Sequence, residues 1–145
     1  MKTLSFKKMA IATTALIGLT AATSALAGTG GWGASTSTPT ALYTKGVYYT
    51  SQWMSPVITP PGTAQMTDLS WSYNFNYHPV GTNAWIENTS GQSAYLSGAS
   101  GAFNNIAPGV PAGLSLRFRF QVPGTGDLVP DAYTQIHSAN VTYSY

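Results

Sequence analysis

The chain has 145 residues, 43% hydrophobic, 12% aromatic and only 7% charged, with 15 Gly, 9 Pro and no Cys. That length suits one compact domain, and so many aromatics with so little charge exclude a disordered chain. The lack of sulfhydryl groups excludes disulfides, a thiolate nucleophile and a Cys-based zinc site.

The first element is an export signal. Lys2, Lys7 and Lys8 open the chain, an apolar run follows from Met9 to about Leu19, and Ala25-Leu26-Ala27 precedes Gly28. A basic start, a short apolar centre and small residues at −3 and −1 define a secretory signal peptide, here residues 1–27. The apolar run is too short for a membrane span, which needs about 20 strongly apolar residues. Without residues 1–27 the chain keeps Lys45, Arg117 and Arg119 against Asp68, Glu87, Asp127 and Asp131, three cations against four acids. Nucleic-acid binding needs several Lys or Arg to displace phosphate counterions, so a nucleic-acid partner is excluded.

Residues 28–40, rich in Gly, Ser and Thr, read as a flexible leader in which Trp32 alone could dock on the body. From residue 41 to 145 the pattern is that of strands. Gly46 to Met54 is one, with Val47, Tyr49 and Trp53 of common parity. In the next, Leu69, Trp71, Tyr73, Phe75 and Tyr77 alternate with Ser and Asn. Ala84 to Glu87 and Ser93 to Ser97 form a hairpin closed by Asn88-Thr89-Ser90-Gly91. Leu114, Leu116, Phe118, Phe120 and Val122 alternate with Ser115, Arg117, Arg119 and Gln121, and Ala139, Val141, Tyr143 and Tyr145 end the chain in the same way. Alternation puts one face of each strand in the core and the other in water. Val122-Pro123-Gly124-Thr125 suits a type II turn. The expected fold is all-β: an antiparallel β-sandwich of about seven strands, Greek-key-like. Its core holds Trp71, Tyr73, Phe75, Leu116, Phe118, Phe120, Val141 and Tyr143.

No catalytic constellation emerges. Gly28, Gly30 and Gly33 match G-x-G-x-x-G but follow a cleavage site and precede coil, so no dinucleotide cofactor is implied. His78 and His137 read as solvated loop residues, and no G-x-S-x-G elbow accompanies them. Asp127 and Asp131 sit four apart in a turn-rich stretch, too few oxygens for Ca²⁺. No enzyme activity, cofactor or metal is expected. The candidate partner-binding residues are Trp32, Trp53 and Trp85, which have no place on the best strand faces. Exposed Trp can anchor a protein or stack on a sugar ring. An outer-membrane barrel needs at least eight strands of about 9–11 residues, which the Pro-interrupted chain does not supply.

The run Pro111-Ala112-Gly113-Leu114-Ser115-Leu116-Arg117-Phe118-Arg119-Phe120-Gln121-Val122-Pro123-Gly124-Thr125-Gly126-Asp127-Leu128-Val129-Pro130 resembles the flagellar protein FlhE family, as do Ser138-Ala139-Asn140-Val141-Thr142-Tyr143, Gly31-Trp32 and Leu69-Ser70-Trp71-Ser72-Tyr73. The paired cysteines that members often carry in the central hairpin are missing from Ala84 to Ser97, which marks a distant member. The resemblance implies a small periplasmic β protein of flagellar assembly or regulation, associated with swarming and with limiting leakage through the export apparatus. It implies flagellar or export-apparatus proteins as partners and transfers no catalytic residues. Other functions open to the same fold are a secreted carbohydrate-binding module and a surface fibre subunit, and the chain is compatible with a homo-oligomer.

Overall fold

The computed structural model describes residues 27–145, so most of the proposed signal peptide lies outside the described residues. Nine strands make two antiparallel sheets packed face to face. The larger sheet holds β1 (Thr29–Thr36), β9 (Asp127–Ser144), β4 (Gln65–Phe75) and β7 (Ser100–Phe103) in that order, with β2 (Ala41–Thr44) also on β9. The smaller holds β3 (Tyr48–Thr50), β8 (Leu116–Gln121), β5 (Asn83–Asn88) and β6 (Ser93–Leu96). The expected all-β sandwich is therefore the fold, with two more strands than foreseen.

The core lies where the inward parities meet. Trp71 and Tyr73 from β4, Phe118 and Phe120 from β8, Ile86 from β5 and Val141 from β9 are all buried. Of the eight expected core residues, Phe75 and Tyr143 are only partly buried, packed against that cluster. Tyr73 stands edge-on to Phe118 and Phe120, at centroid distances of 5.7 and 5.1 Å. That geometry adds to area burial through the ring quadrupoles.

Four expectations need correction. The leader is not loose: residues 29–36 form β1, paired with β9 from Thr29↔Ser144 to Thr36↔His137. Its glycines are there for close approach rather than flexibility. A Cβ on Gly30 would strike the Tyr143 ring, and one on Gly28 the Tyr145 ring. The Gly46–Met54 strand shrinks to three residues, because Trp53 falls beyond the pairing and Val47 is exposed. The Asp127–Asp131 stretch is strand, not loop. There β9 pairs with β2, from Thr44↔Asp127 to Ala41↔Tyr133, and a Pro is tolerated at such a sheet margin. Finally, His137 is no solvated loop residue. It lies inside β9, fully buried, stacked on Phe118 at 5.4 Å. The turn after β8 follows the sequence reading, with Gly124 at φ +109.

Candidate functional site: an aromatic–arginine face

The outward parity of the smaller sheet builds one surface. In β8, Arg117 and Arg119 alternate with the buried Leu116, Phe118 and Phe120, so both guanidinium groups point away from the core. Register then decides their neighbours. Arg119 lies opposite Trp85 and Arg117 opposite Glu87 across β5–β8, while Thr50 flanks Arg119 on β3 and Tyr95 flanks Trp85 on β6.

The side chains interleave. Arg117 lies over the Trp53 ring, 4.3 Å from its centroid. Arg119 sits between two rings, 5.0 Å from Tyr48 and 5.1 Å from Trp85. Trp85 meets Tyr48 and Tyr95 edge-on, each at 5.7 Å. Glu87 accepts hydrogen bonds from both arginines, from Arg117 Nε and from Arg119 Nη1 at 3.4 Å. Each contact is modest alone: a cation–π pair is worth about 0.5–1 kcal/mol at exposed sites, and a part-exposed ion pair about 0–1 kcal/mol. Together they hold long side chains in fixed positions, which lowers the entropy lost when a partner binds. Two cations against one acid leave this face with a net positive charge.

The structure separates the three tryptophans singled out from the sequence. Trp53 and Trp85 stand on this face. Trp32 does not: it is buried in the core, and its indole N–H donates to the Ala112 carbonyl at 2.8 Å. It is a packing residue that ties β1 to the chain before β8. Sequence reasoning missed Tyr48, Glu87, Tyr95, Arg117 and Arg119. The alternation of the two arginines with Phe118 and Phe120 was a usable signal, since it puts both on the wet face. Their meeting with Glu87 and Trp85 depends on strand register, which no local pattern supplies.

The remaining polar groups sit apart. His78 is exposed against the Phe75 ring, and Asp127 and Asp131 are exposed along β9. On the opposite sheet, Asp68 accepts hydrogen bonds from the Thr142 hydroxyl and the Asn105 N–H. These bonds, with a lesser one from Thr67, hold its carboxyl below the ordinary value. The Asn88 amide is consumed by its own turn, its Oδ1 accepting from the N–H groups of Ser90 and Gln92. No helix of the described residues is long and apolar enough to cross a membrane.

Fold and face together define an antiparallel β-sandwich that carries an ordered aromatic and cationic surface on its smaller sheet. A family model described as flagellar protein FlhE matches residues 39–145. The chain belongs to the FlhE family, which is flagellar and is not a known enzyme family. It is also similar to a solved structure titled "Crystal Structure of FLHE", at 31% identity and a TM-score of 0.71, over 80% of this chain and 97% of that one. Among curated proteins no match is found.

Proposed function

We propose that this chain is a non-enzymatic accessory protein of flagellar assembly or regulation. It is exported to the periplasm through cleavage after Ala27 and acts by binding flagellar or export-apparatus proteins. The observation that carries this reading is the FlhE match across residues 39–145. The export step rests on the basic, apolar and small-residue pattern of residues 1–27.

The binding surface is the aromatic–arginine face, with Trp53 and Trp85 as anchors. Trp, Tyr and Arg carry most of the energy in protein interfaces, and this face presents all three. Guanidinium groups already lie over one face of Trp53 and of Trp85, which leaves less ring area for a sugar to stack on. A protein partner fits this face better than a glycan.

The test is a gene deletion complemented by the wild-type chain or by an Arg117→Glu/Arg119→Glu double variant, scored for flagella and swarming. Deletion is expected to disturb both, wild type to restore them, and the double variant to restore them poorly while reaching the periplasm in normal amount. Unchanged flagella and swarming in the deletion strain would defeat the reading. Full rescue by the double variant would remove this face as the site.

A further inference from the structure

The two sheets do not close along the side where β6 and β7 are the outer strands. Each pairs with one neighbour only among the described residues, β6 with β5 and β7 with β4. Between them opens a cleft of about 420 Å³, within the roughly 300–1,000 Å³ of ligand sites. Leu69, Ile86, Phe103, Ile106, Val110 and Leu116 line it. Leu69, Ile86 and Leu116 form its buried floor, while Ala94, Phe103, Ile106 and Val110 are only partly buried and would be covered by a further strand.

The cleft is preformed. Its outer wall, the segment after β7, is pinned to β4 by backbone donors. Asn105 N–H reaches Asp68 at 3.2 Å, Ile106 N–H the Thr67 carbonyl at 2.8 Å, and Gly109 N–H the Gln65 side chain at 3.0 Å. Met66 N–H in turn reaches the Val110 carbonyl at 2.8 Å. The opposite lip is β6. Asn88 N–H bonds the Gln92 carbonyl at the hairpin end. Antiparallel residues alternate between bonding their partner and facing away, so the backbone groups of Ser93 and Tyr95 turn to the unpaired side. Ala94, between them, lines the cleft with only a methyl group.

Charge selects the occupant. The one ionisable side chain lining the cleft is Glu87, and its carboxylate is engaged by Arg117 and Arg119. The other polar lining side chains, Asn88, Gln92, Ser93 and Asn104, carry no charge, so a charged segment would lose hydration in the cleft without a free counter-ion to compensate. We propose that this cleft docks an extended, uncharged segment of a partner protein, apolar at every second residue, which adds as a strand to the open edge of β6. Main-chain bonds to Ser93 and Tyr95 supply affinity, and alternate side chains entering beside Ala94 supply selectivity. The inference rests on the protein-binding reading above and names the chemistry of the bound segment.

The test uses the chain from residue 28 onward and dye-labelled, end-capped peptides of about ten residues. One peptide alternates Val and Thr. A second has the same composition in two blocks, and a third alternates Asp and Thr. Anisotropy is expected to show the first binding at least about tenfold more tightly than either other, with the Ser93 and Tyr95 amides protected from hydrogen exchange. Ala94→Asp and Ala94→Trp, the second filling the mouth without charge, are both expected to abolish binding; because Ala94 packs against the core, each melting curve is recorded and binding is compared at a temperature where every variant is folded. Equal binding of all three peptides, or none with the first at millimolar concentration, overturns the proposal. Protection confined to β7, or a concentration-dependent dimer that Ala94→Asp dissolves without peptide binding, overturns it too, the latter assigning the cleft to a second copy. Peptide binding with normal swarming in the deletion strain would instead retire the flagellar reading and leave the cleft standing.

Discussion

His137 couples the stability of this fold to pH. The imidazole is fully buried, stacked on Phe118 at 5.4 Å and beside Phe120 at 5.8 Å, and neither ring nitrogen makes a hydrogen bond. Burial pushes its pKa below the ordinary value, against a smaller opposing effect of the nearby Thr36 backbone, which lies outside hydrogen-bond geometry. In the unfolded chain the group titrates near about 6.5. The folded state therefore binds fewer protons than the unfolded state below that pH. Stability is fully present above about pH 6.5 and falls as pH drops from there toward the folded pKa, by at most about 1.4 kcal/mol per pH unit. Hydrogen bonds hold the Asp68 carboxyl below its ordinary value, which keeps its titration away from the window just below about pH 6.5 where an imidazole ordinarily titrates. The perturbation is His137→Phe, which keeps the stacking and removes the titration. Urea unfolding at pH 7.5 and pH 5.5 is the assay. Wild type is expected to lose stability between the two, by no more than the linkage ceiling of about 1.4 kcal/mol, and the variant markedly less. Comparing each protein with itself cancels any packing offset from the larger ring. An identical pH dependence in both proteins would refute the reasoning, because it would show that His137 takes up its proton equally well folded and unfolded.

Other predictions follow from packing. Phe118→Ala should cost about 3–5 kcal/mol, since the ring is fully buried against Phe120, Tyr73 and His137; a thermal melt unchanged from wild type would contradict the assigned face. Trp32→Phe keeps most of the apolar area but strands the Ala112 carbonyl, so chemical denaturation should show a loss of about 1–3 kcal/mol. Gly30→Val should destabilise by displacing the Tyr143 ring, detected as a lower melting temperature, with partial recovery in the Gly30→Val/Tyr143→Ala double variant. Trp53→Ala should leave stability within about 1 kcal/mol of wild type yet weaken partner capture.

Much of this was legible in the sequence. Period-two alternation located β4, the β5–β6 hairpin, β8 and the end of β9, because side chains on a strand must point alternately to core and solvent. The same rule named six of the eight expected core residues as fully buried ones. It missed β1, β2 and β7: β2 is only four residues long, and the Gly- and Ser-rich stretches of β1 and β7 carry little hydrophobic signal of their own. Gly30 and Gly101 become strand positions only because Tyr143 and Trp71 lay their rings across them. His137 looked like a polar residue before a strand, and only its pairing with Tyr73 and Thr36 placed it inside one.

The amino-acid order alone settled the class of fold and the family, through strand periodicity and the turn after β8, since both are encoded within a few neighbouring residues. Tertiary structure alone decided which side chains share a surface. It buried Trp32, brought Arg117 and Arg119 against Glu87, Trp53 and Trp85, and left one side of the sandwich open. Those outcomes depend on strand order and register, which arise from contacts between residues far apart in the chain.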